Sequence, residues 1–330
     1  MRVSINDKLK ITDKGVPEQQ ELPFFCLQTA TMSDSAMPSS TATTQKRTPE
    51  PSMQGQRIAI QGVRGAFHEI AARHFFGEQI EVVPALSFPI LFDKSADAAQ
   101  TDAAILAIEN SIAGSILGNY KLLENSDLVV VGEVYLRIQQ NLLALPGVTF
   151  DQIREVHSHP MALAQCAEFF KKYPKIRLVE SEDTAESAAH IVRHRAIHMG
   201  AIASTLAANI YGLNVLAPAI ETVPENFTRF LAVRRKKEAV PVQHADKASV
   251  CFSAGHQPGS LAQVLTMLAT EGANLTKIQS APLLGRPWEY RFFVDFTAIP
   301  DRIPEVLQLL ERSTTDLQVL GVYREGVQHS

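Results

Sequence analysis

The sequence predicts an α/β protein: a largely parallel sheet flanked by helices, followed by a smaller βαββαβ module. Two observations carry this. From residue 57 to residue 234, short apolar runs alternate with amphipathic stretches of roughly ten residues, the pattern of strand–helix–strand crossovers. After residue 248 the order changes to strand, helix, two strands, helix and a last strand.

Residues 57–61 read as a short buried strand, Gly62-Val63-Arg64-Gly65 as a glycine turn, and 67–76 as an amphipathic helix closed by Gly77. Further strands are expected at 103–108, 128–132, 141–145, 177–180, 200–203, 215–217 and 230–234. Helices are expected at 160–173, 184–193 and 205–211. Sheets of this kind bind ligands beyond the carboxyl ends of their strands. The charged run Arg234-Arg235-Lys236-Lys237-Glu238 and a linker over 239–247, with Pro241, then close the larger region. In the module, strands at 248–253, 275–280, 290–296 and 317–323 and helices at 258–271 and 303–313 give a ferredoxin-like order.

Composition narrows the function classes. A length of 330 residues suits two or three domains, and 45% hydrophobic with 20% charged residues is ordinary for a soluble globular chain. A formal net charge of -4 offers nucleic acid no electrostatic footing. Cys26, Cys166 and Cys251 are far apart and lack metal or CxxC spacing, so a reduced, cytoplasmic setting is expected. No apolar run approaches the roughly 18 residues of a membrane span. Residues 1–55 read as a disordered extension, since 33–54 is rich in Ser, Thr, Pro, Met and Gln. Translation starting at Met32 or Met53 would also account for that stretch.

The chemistry concentrates in a few places. Asn226-Phe227-Thr228-Arg229-Phe230 sets a hydroxyl beside a fixed positive charge where a loop enters an apolar run. Such an arginine needs an anion. On a regular strand Thr228 and Arg229 would face opposite sides, so both reach one ligand only if the segment is still loop. Glu109-Asn110-Ser111 ends an apolar strand, which suits a ligand-facing loop, and equally a helix cap. Ser158-His159-Pro160 opens a helix whose N–H groups could accept a carboxylate, and is also an ordinary helix start. Asp183 to Glu186 has capping-box spacing around Thr184. No P-loop, GxGxxG or GxSxG is present. His190, His194 and His198 have helical spacing without an acidic ligand and read as a solvated face. No metal or nucleotide cofactor is expected.

Taken together, these segments resemble prephenate dehydratase with a C-terminal ACT regulatory domain. The resemblance runs from about residue 57 to 323. It rests on Gly62-Val63-Arg64-Gly65-Ala66-Phe67, Ile108-Glu109-Asn110-Ser111, Ser158-His159-Pro160, Asp183-Thr184-Ala185 and Asn226-Phe227-Thr228-Arg229-Phe230, in the family's order. It implies a catalytic region over 56–238 built like a periplasmic binding protein, from one subdomain at 57–132 with 213–236 and another at 133–212. An ACT domain would occupy 247–325. The implied reaction converts prephenate to phenylpyruvate, carbon dioxide and water. Thr228 would assist the departing hydroxyl and Arg229 would hold the dianion. Glu109, Asn110, Ser111, Ser158, His159, Thr184, Asn226 and Phe230 would line the cleft.

Val63 and Ala66 stand where the family usually has Pro and Thr. Residues 1–55 are too polar and proline-rich for a helical chorismate mutase segment. In the ACT module, Gly259, Ser260 and Leu261 match the family's Gly-Ala-Leu loop, and Asn274 opens the segment before its second motif. Gln279-Ser280-Ala281-Pro282 stands where Glu-Ser-Arg-Pro is common. L-phenylalanine is the implied effector, and a homodimer or homotetramer the implied assembly. Two alternatives remain at this stage: an arogenate dehydratase using the same residues, and a non-catalytic amino-acid-sensing protein of the same fold.

Overall fold

The computed structural model describes residues 55–255, 257–283, 285–286 and 288–329, and its first sheet opens on three parallel strands. These are β1 (Arg57–Gln61), β2 (Glu81–Ala85) and β3 (Ala103–Asn110), joined through helices α1 (Phe67–Phe76) and α2 (Phe88–Ala96). Ile58, Ala59 and Ile60 are wholly buried, as a parallel strand covered on both faces requires. A two-residue strand β4 (Gly114–Ser115), helix α3 (Leu117–Glu124) and strand β5 (Leu128–Arg137) follow. The elements β2, α2 and α3 were not expected from the pattern. β2 is an edge strand carrying Glu81 and Pro84, so its apolar signal is weak. The expectation for residues 1–55 falls, Gly55 apart, outside the described residues.

The chain then crosses to a second sheet. It contains β6 (Asn141–Ala144), β7 (Glu155–Ser158), β8 (Arg177–Glu180), β9 (Met199–Ala203) and β10 (Asn214–Ala217), in the order β10-β6-β9-β7-β8. Its helices are α4 (Pro160–Gln165), α5 (Ala167–Phe170), α6 (Thr184–His194) and α7 (Thr205–Tyr211). The single helix expected over 160–173 is broken at Cys166, whose φ of -100° and ψ of 5° leave the helical region. The chain returns to the first sheet only after β10, as β11 (Phe227–Arg235), antiparallel between β3 and β5. The two crossover segments brace each other: Ile138 N donates to Asn226 O at 2.7 Å and Ile220 N to Gln140 O at 2.8 Å.

The C-terminal module has the expected order: β12 (Lys247–Ser253), α8 (Ser260–Thr270), β13 (Asn274–Pro282), β14 (Tyr290–Thr297), α9 (Ile303–Ser313) and β15 (Thr315–Tyr323). Its strands lie β15-β12-β14-β13, all antiparallel, a ferredoxin-like sheet. One face packs α8 and α9 against Val250, Phe252, Val294 and Phe296. The other face packs Cys251, Phe293 and Tyr323 onto Leu106, Ile108 and Leu231 of the first lobe. β15 also meets β5 at Gly321 and Val130, and β16 (Gln328–His329) pairs with β5. The module sheet therefore continues the first sheet and folds back over it.

One buried histidine sets an acid limit on this fold. His68 on α1 lies edge-on to Phe230 and its Nε2 accepts from Ala107 N at 3.2 Å. Burial lowers its pKa to about 3. The native state thus stays unprotonated below about 6.5, where the unfolded chain takes up a proton. Stability present above that pH is lost as pH falls toward 3, at about 1.4 kcal/mol per pH unit from this residue. Urea unfolding across pH 7 to 4 should show a smaller slope for His68→Gln, which keeps an acceptor; equal slopes would exclude the assignment.

Candidate active site

The motifs singled out in the sequence share one topological position. Gly62 follows β1, Glu109 and Asn110 end β3, His159 follows β7, and Asp183 follows β8, all at carboxyl ends of parallel strands. Thr228, at the amino end of the antiparallel β11, faces Asn110 across the ladder. This is the rim where open α/β sheets bind ligands.

Asn110 organises the first-lobe side of that rim. Its Oδ1 accepts from Ile112 N at 3.0 Å and Ala113 N at 2.9 Å, which fixes which way the amide points. Its Nδ2 then reaches Thr228 Oγ1 at 3.0 Å, Asn226 Oδ1 at 2.7 Å and Phe227 O at 3.2 Å. Because Thr228 Oγ1 accepts this bond, its own proton is free to be donated. Among the described residues Asn110 is the hydroxyl's only hydrogen-bond partner. Ser111 closes the turn, with its Oγ accepting from Phe227 N at 2.9 Å.

A bulge makes this pairing possible. Along β3, Ala103, Ile105 and Ala107 face the α1 side, and Ala104, Leu106 and Ile108 face the module. Strict alternation would send Asn110 to the module side. The β11 register instead steps from Arg229 opposite Glu109 to Phe230 opposite Ala107, leaving Ile108 unpaired. Glu109 then joins Ile108 on the module side, and Asn110 turns to the face that Thr228 occupies.

Arg229 corrects the expectation that it holds substrate. β11 is already regular strand at Phe227, so Thr228 and Arg229 point to opposite faces. Arg229 is buried on the module side: Nε donates to Glu133 Oε2 at 2.7 Å, Nη1 to Asp295, and Nη2 to the Tyr323 hydroxyl at 3.0 Å. Burial by itself would lower its pKa; Asp295 and Glu133 overturn that and hold the guanidinium charged well above its usual range. Lys247 completes the cluster with Nζ 2.8 Å from Glu133 Oε1. Glu109 also turns away from the rim, toward Lys277 of β13. Phe230 belongs to the core, 1% exposed among Ala72, Val134 and Ala232.

The second lobe contributes from α4 and α6. Gln165, which the sequence reading passed over, accepts from Asn226 Nδ2 at 3.0 Å and from Gln140 Nε2 at 3.3 Å. The Gln140 Oε1 beside it is buried and has no hydrogen-bond partner among the described residues. Both lie in unremarkable polar positions of the sequence, and only their meeting across the crossover marks them. Ser158 is wholly buried with Oγ given to Ile202 O at 2.7 Å, so it serves the strand rather than the rim. His159 is exposed and caps α4 through Nδ1, 3.2 Å from Met161 N. Asp183 caps α6, accepting from Glu186 N at 2.9 Å, with Thr184 as its first residue. Burial pushes the Asp183 carboxyl up.

The lobes touch at the glycine turn. Gly65 has φ +90° and a Cβ there would lie 2.8 Å from Ala207 Cα, so only glycine permits this approach. Ser204 Oγ donates to Gly65 O at 2.6 Å from the other side. A Cβ on Gly62 would lie 2.5 Å from Asp183 Oδ2. Among the described residues no cluster of three or more His, Cys, Asp or Glu side chains could hold a metal ion, and no helix is long and apolar enough to cross a membrane.

The module carries its own cavity of about 680 Å³, lined by Gly259, Ser260, Leu261, Trp288, Tyr290 and Phe292 among others. Asn274, Gln279 and Ser280 of β13 do not line it, although Ser280 pairs with the lining residue Phe292.

Four likenesses to known proteins bear on this site. A family model described as prephenate dehydratase matches residues 58–238. The chain is 40% identical over 278 residues to an Arabidopsis thaliana protein named arogenate dehydratase/prephenate dehydratase 2, chloroplastic, covering 81% of this chain and 72% of that one. A solved prephenate dehydratase from Arthrobacter aurescens in complex with L-Phe matches with TM-score 0.73 at 29% identity, over 81% of this chain and 90% of that one. A solved structure described as GqqA, a novel type of quorum quenching acylase, matches with TM-score 0.74 at 31% identity, over 82% and 98%.

Proposed function

The chain belongs to the prephenate dehydratase family, and on that premise we propose that it converts prephenate to phenylpyruvate at the rim around Thr228. The reaction takes up one proton. The ring C–carboxylate bond breaks, its electron pair moves through the diene to form the aromatic ring, and the C–OH bond para to it breaks, giving carbon dioxide and water. Aromatisation drives it, so the barrier lies in expelling hydroxide without help at the oxygen. The observation carrying the reading is the Thr228 hydroxyl, oriented by Asn110 with its proton free.

A threonine is a poor acid, so its part is a directed hydrogen bond to the leaving oxygen in a site shielded from water. Gln165, Asn226 and the unpartnered Gln140 Oε1 supply polar contacts across from it. With Arg229 committed elsewhere, the substrate's carboxylates would meet His159 and the amino end of α6 at Thr184. The likeness to an acylase does not displace this reading. Among the described residues Thr228 has no histidine or carboxylate at hydrogen-bond distance, which a nucleophile would need.

Purified full-length protein should form phenylpyruvate from prephenate without added metal or nucleotide, read by ultraviolet absorbance in alkali. Absence of turnover on both prephenate and arogenate would exclude the dehydratase. Arogenate is the second candidate substrate, favoured by the relative that bears both names; the ratio of kcat/KM values decides between them.

The C-terminal module is proposed to be an ACT domain that binds L-phenylalanine and joins chains as a homodimer or homotetramer. Its cavity beside Gly259, Ser260 and Leu261, and the L-Phe in the Arthrobacter aurescens structure, support this. Millimolar phenylalanine should change the rate of prephenate turnover, and an unchanged rate would count against an effector role despite Gln279 and Ala281.

A further inference from the structure

Four charged side chains form a rectangle directly behind the Asn110–Thr228 edge. Glu109 and Arg229 are register partners on β3 and β11. Lys277 and Asp295 are register partners on β13 and β14, in the module. The two pairs meet face to face with opposite signs: Lys277 Nζ bonds Glu109 and lies 2.5 Å from Ser115 Oγ, and Arg229 bonds Asp295. Both ladders are irregular at this spot, between Arg229 and Phe230 in one and between Leu275 and Lys277 in the other.

The irregularity is what needs holding. A bulge interrupts the ladder between Ser111 N, which donates to Phe227 O at 2.8 Å, and Ala107, so side chains at the bulge add to the register that the flanking backbone bonds set. If the Ile108 bulge closed, Glu109 and Asn110 would exchange faces and the Asn110 amide would leave Thr228 Oγ1. The charge rectangle opposes that exchange, because Glu109 reaches Lys277 only from the module side. Arg229 is likewise tied to Asp295 only while Thr228 faces the rim. Neither Lys277 nor Asp295 approaches the rim itself.

We infer that Lys277 and Asp295 are positioning residues: by gripping Glu109 and Arg229 from the module, they lock the bulged register that aims the Thr228 hydroxyl. The inference rests on the reading of Thr228 as the group that assists the leaving hydroxyl. Lys277 is the residue to test, since its partner Glu109 is 30% exposed and the fold does not hang on it.

In the full-length protein, Lys277→Met should lower kcat for prephenate about tenfold with KM changed by less than about twofold, because aim is lost and binding kept. Added to Thr228→Ala, it should cost less than about twofold more, since both changes act through one hydroxyl. Unchanged kcat in Lys277→Met, or losses that multiply in the double variant, would overturn the lock. Amide hydrogen exchange reads the same claim without turnover: residues 227–230 should exchange roughly tenfold faster in Lys277→Met. A wild type inert on both substrates would remove the role given to Thr228, yet exchange would still judge the lock, and equal exchange in the two proteins would refute it.

Discussion

Thr228→Ala is expected to lower kcat for prephenate by roughly a hundred- to a thousandfold, the loss of about 3–4 kcal/mol that removing one well-placed donor to a developing oxyanion costs. KM should change little, since in the proposed mechanism the hydroxyl acts on charge that develops as the C–O bond breaks. Two controls bracket the result. Thr228→Ser keeps the hydroxyl beside Asn110 Nδ2 and should retain most of the rate. Asn110→Ala leaves Thr228 in place but frees its hydroxyl to rotate, and it also removes the acceptor for Ile112 N and Ala113 N. Its loss should therefore appear partly as stability. Phenylpyruvate absorbance in alkali measures all three variants. A Thr228→Ala enzyme with wild-type kcat would take the hydroxyl out of the mechanism.

Arg229→Met is expected to lower the unfolding free energy by about 3–5 kcal/mol, the usual penalty for leaving a buried charge without its partner. Arg229, Glu133, Asp295 and Lys247 are each at most 5% exposed, so water cannot replace the missing cation. Glu133 keeps Lys247; Asp295 loses its ion-pair partner, and that is where the cost arises. Arg229→Lys should rescue only part of it. One ammonium cannot serve Glu133, Asp295 and the Tyr323 hydroxyl in the fork geometry that the guanidinium provides. Replacing both members, as in Arg229→Met with Asp295→Leu, should recover much of the stability, because a buried pair exchanged for apolar groups is often near neutral. Urea midpoints of the three variants measure this, and a loss below about 1 kcal/mol for Arg229→Met would mean the cluster is wetter than its burial indicates.

Much of the architecture was legible along the chain. Ile58-Ala59-Ile60 and Ala103 to Ile108 are apolar enough to announce buried strands, and the module's order of elements was readable throughout. Where the pattern failed, the cause is local. β7 offers only Val156 between Glu155, His157 and Ser158, β2 is an edge strand with Pro84, and the turn at Cys166 has no breaker residue to announce it. The rim was legible as well, because motifs at the carboxyl ends of parallel strands are a consequence of the fold class.

The division of roles within the rim was not. The sequence alone determined that a hydroxyl and a guanidinium stand side by side at Thr228 and Arg229, and that Glu109 and Asn110 end an apolar strand. Tertiary structure decided which of them face the rim. β11 is strand from Phe227 onward, which sends Arg229 into a buried cluster with residues of the module. A bulge at Ile108 sends Glu109 the same way and returns Asn110 to Thr228. Gln165 and Gln140 enter only because two crossover segments brace each other. Side-chain alternation is a local property and can be read from sequence, whereas register is set between residues more than a hundred positions apart. One residue of register reverses the face of every side chain beyond it.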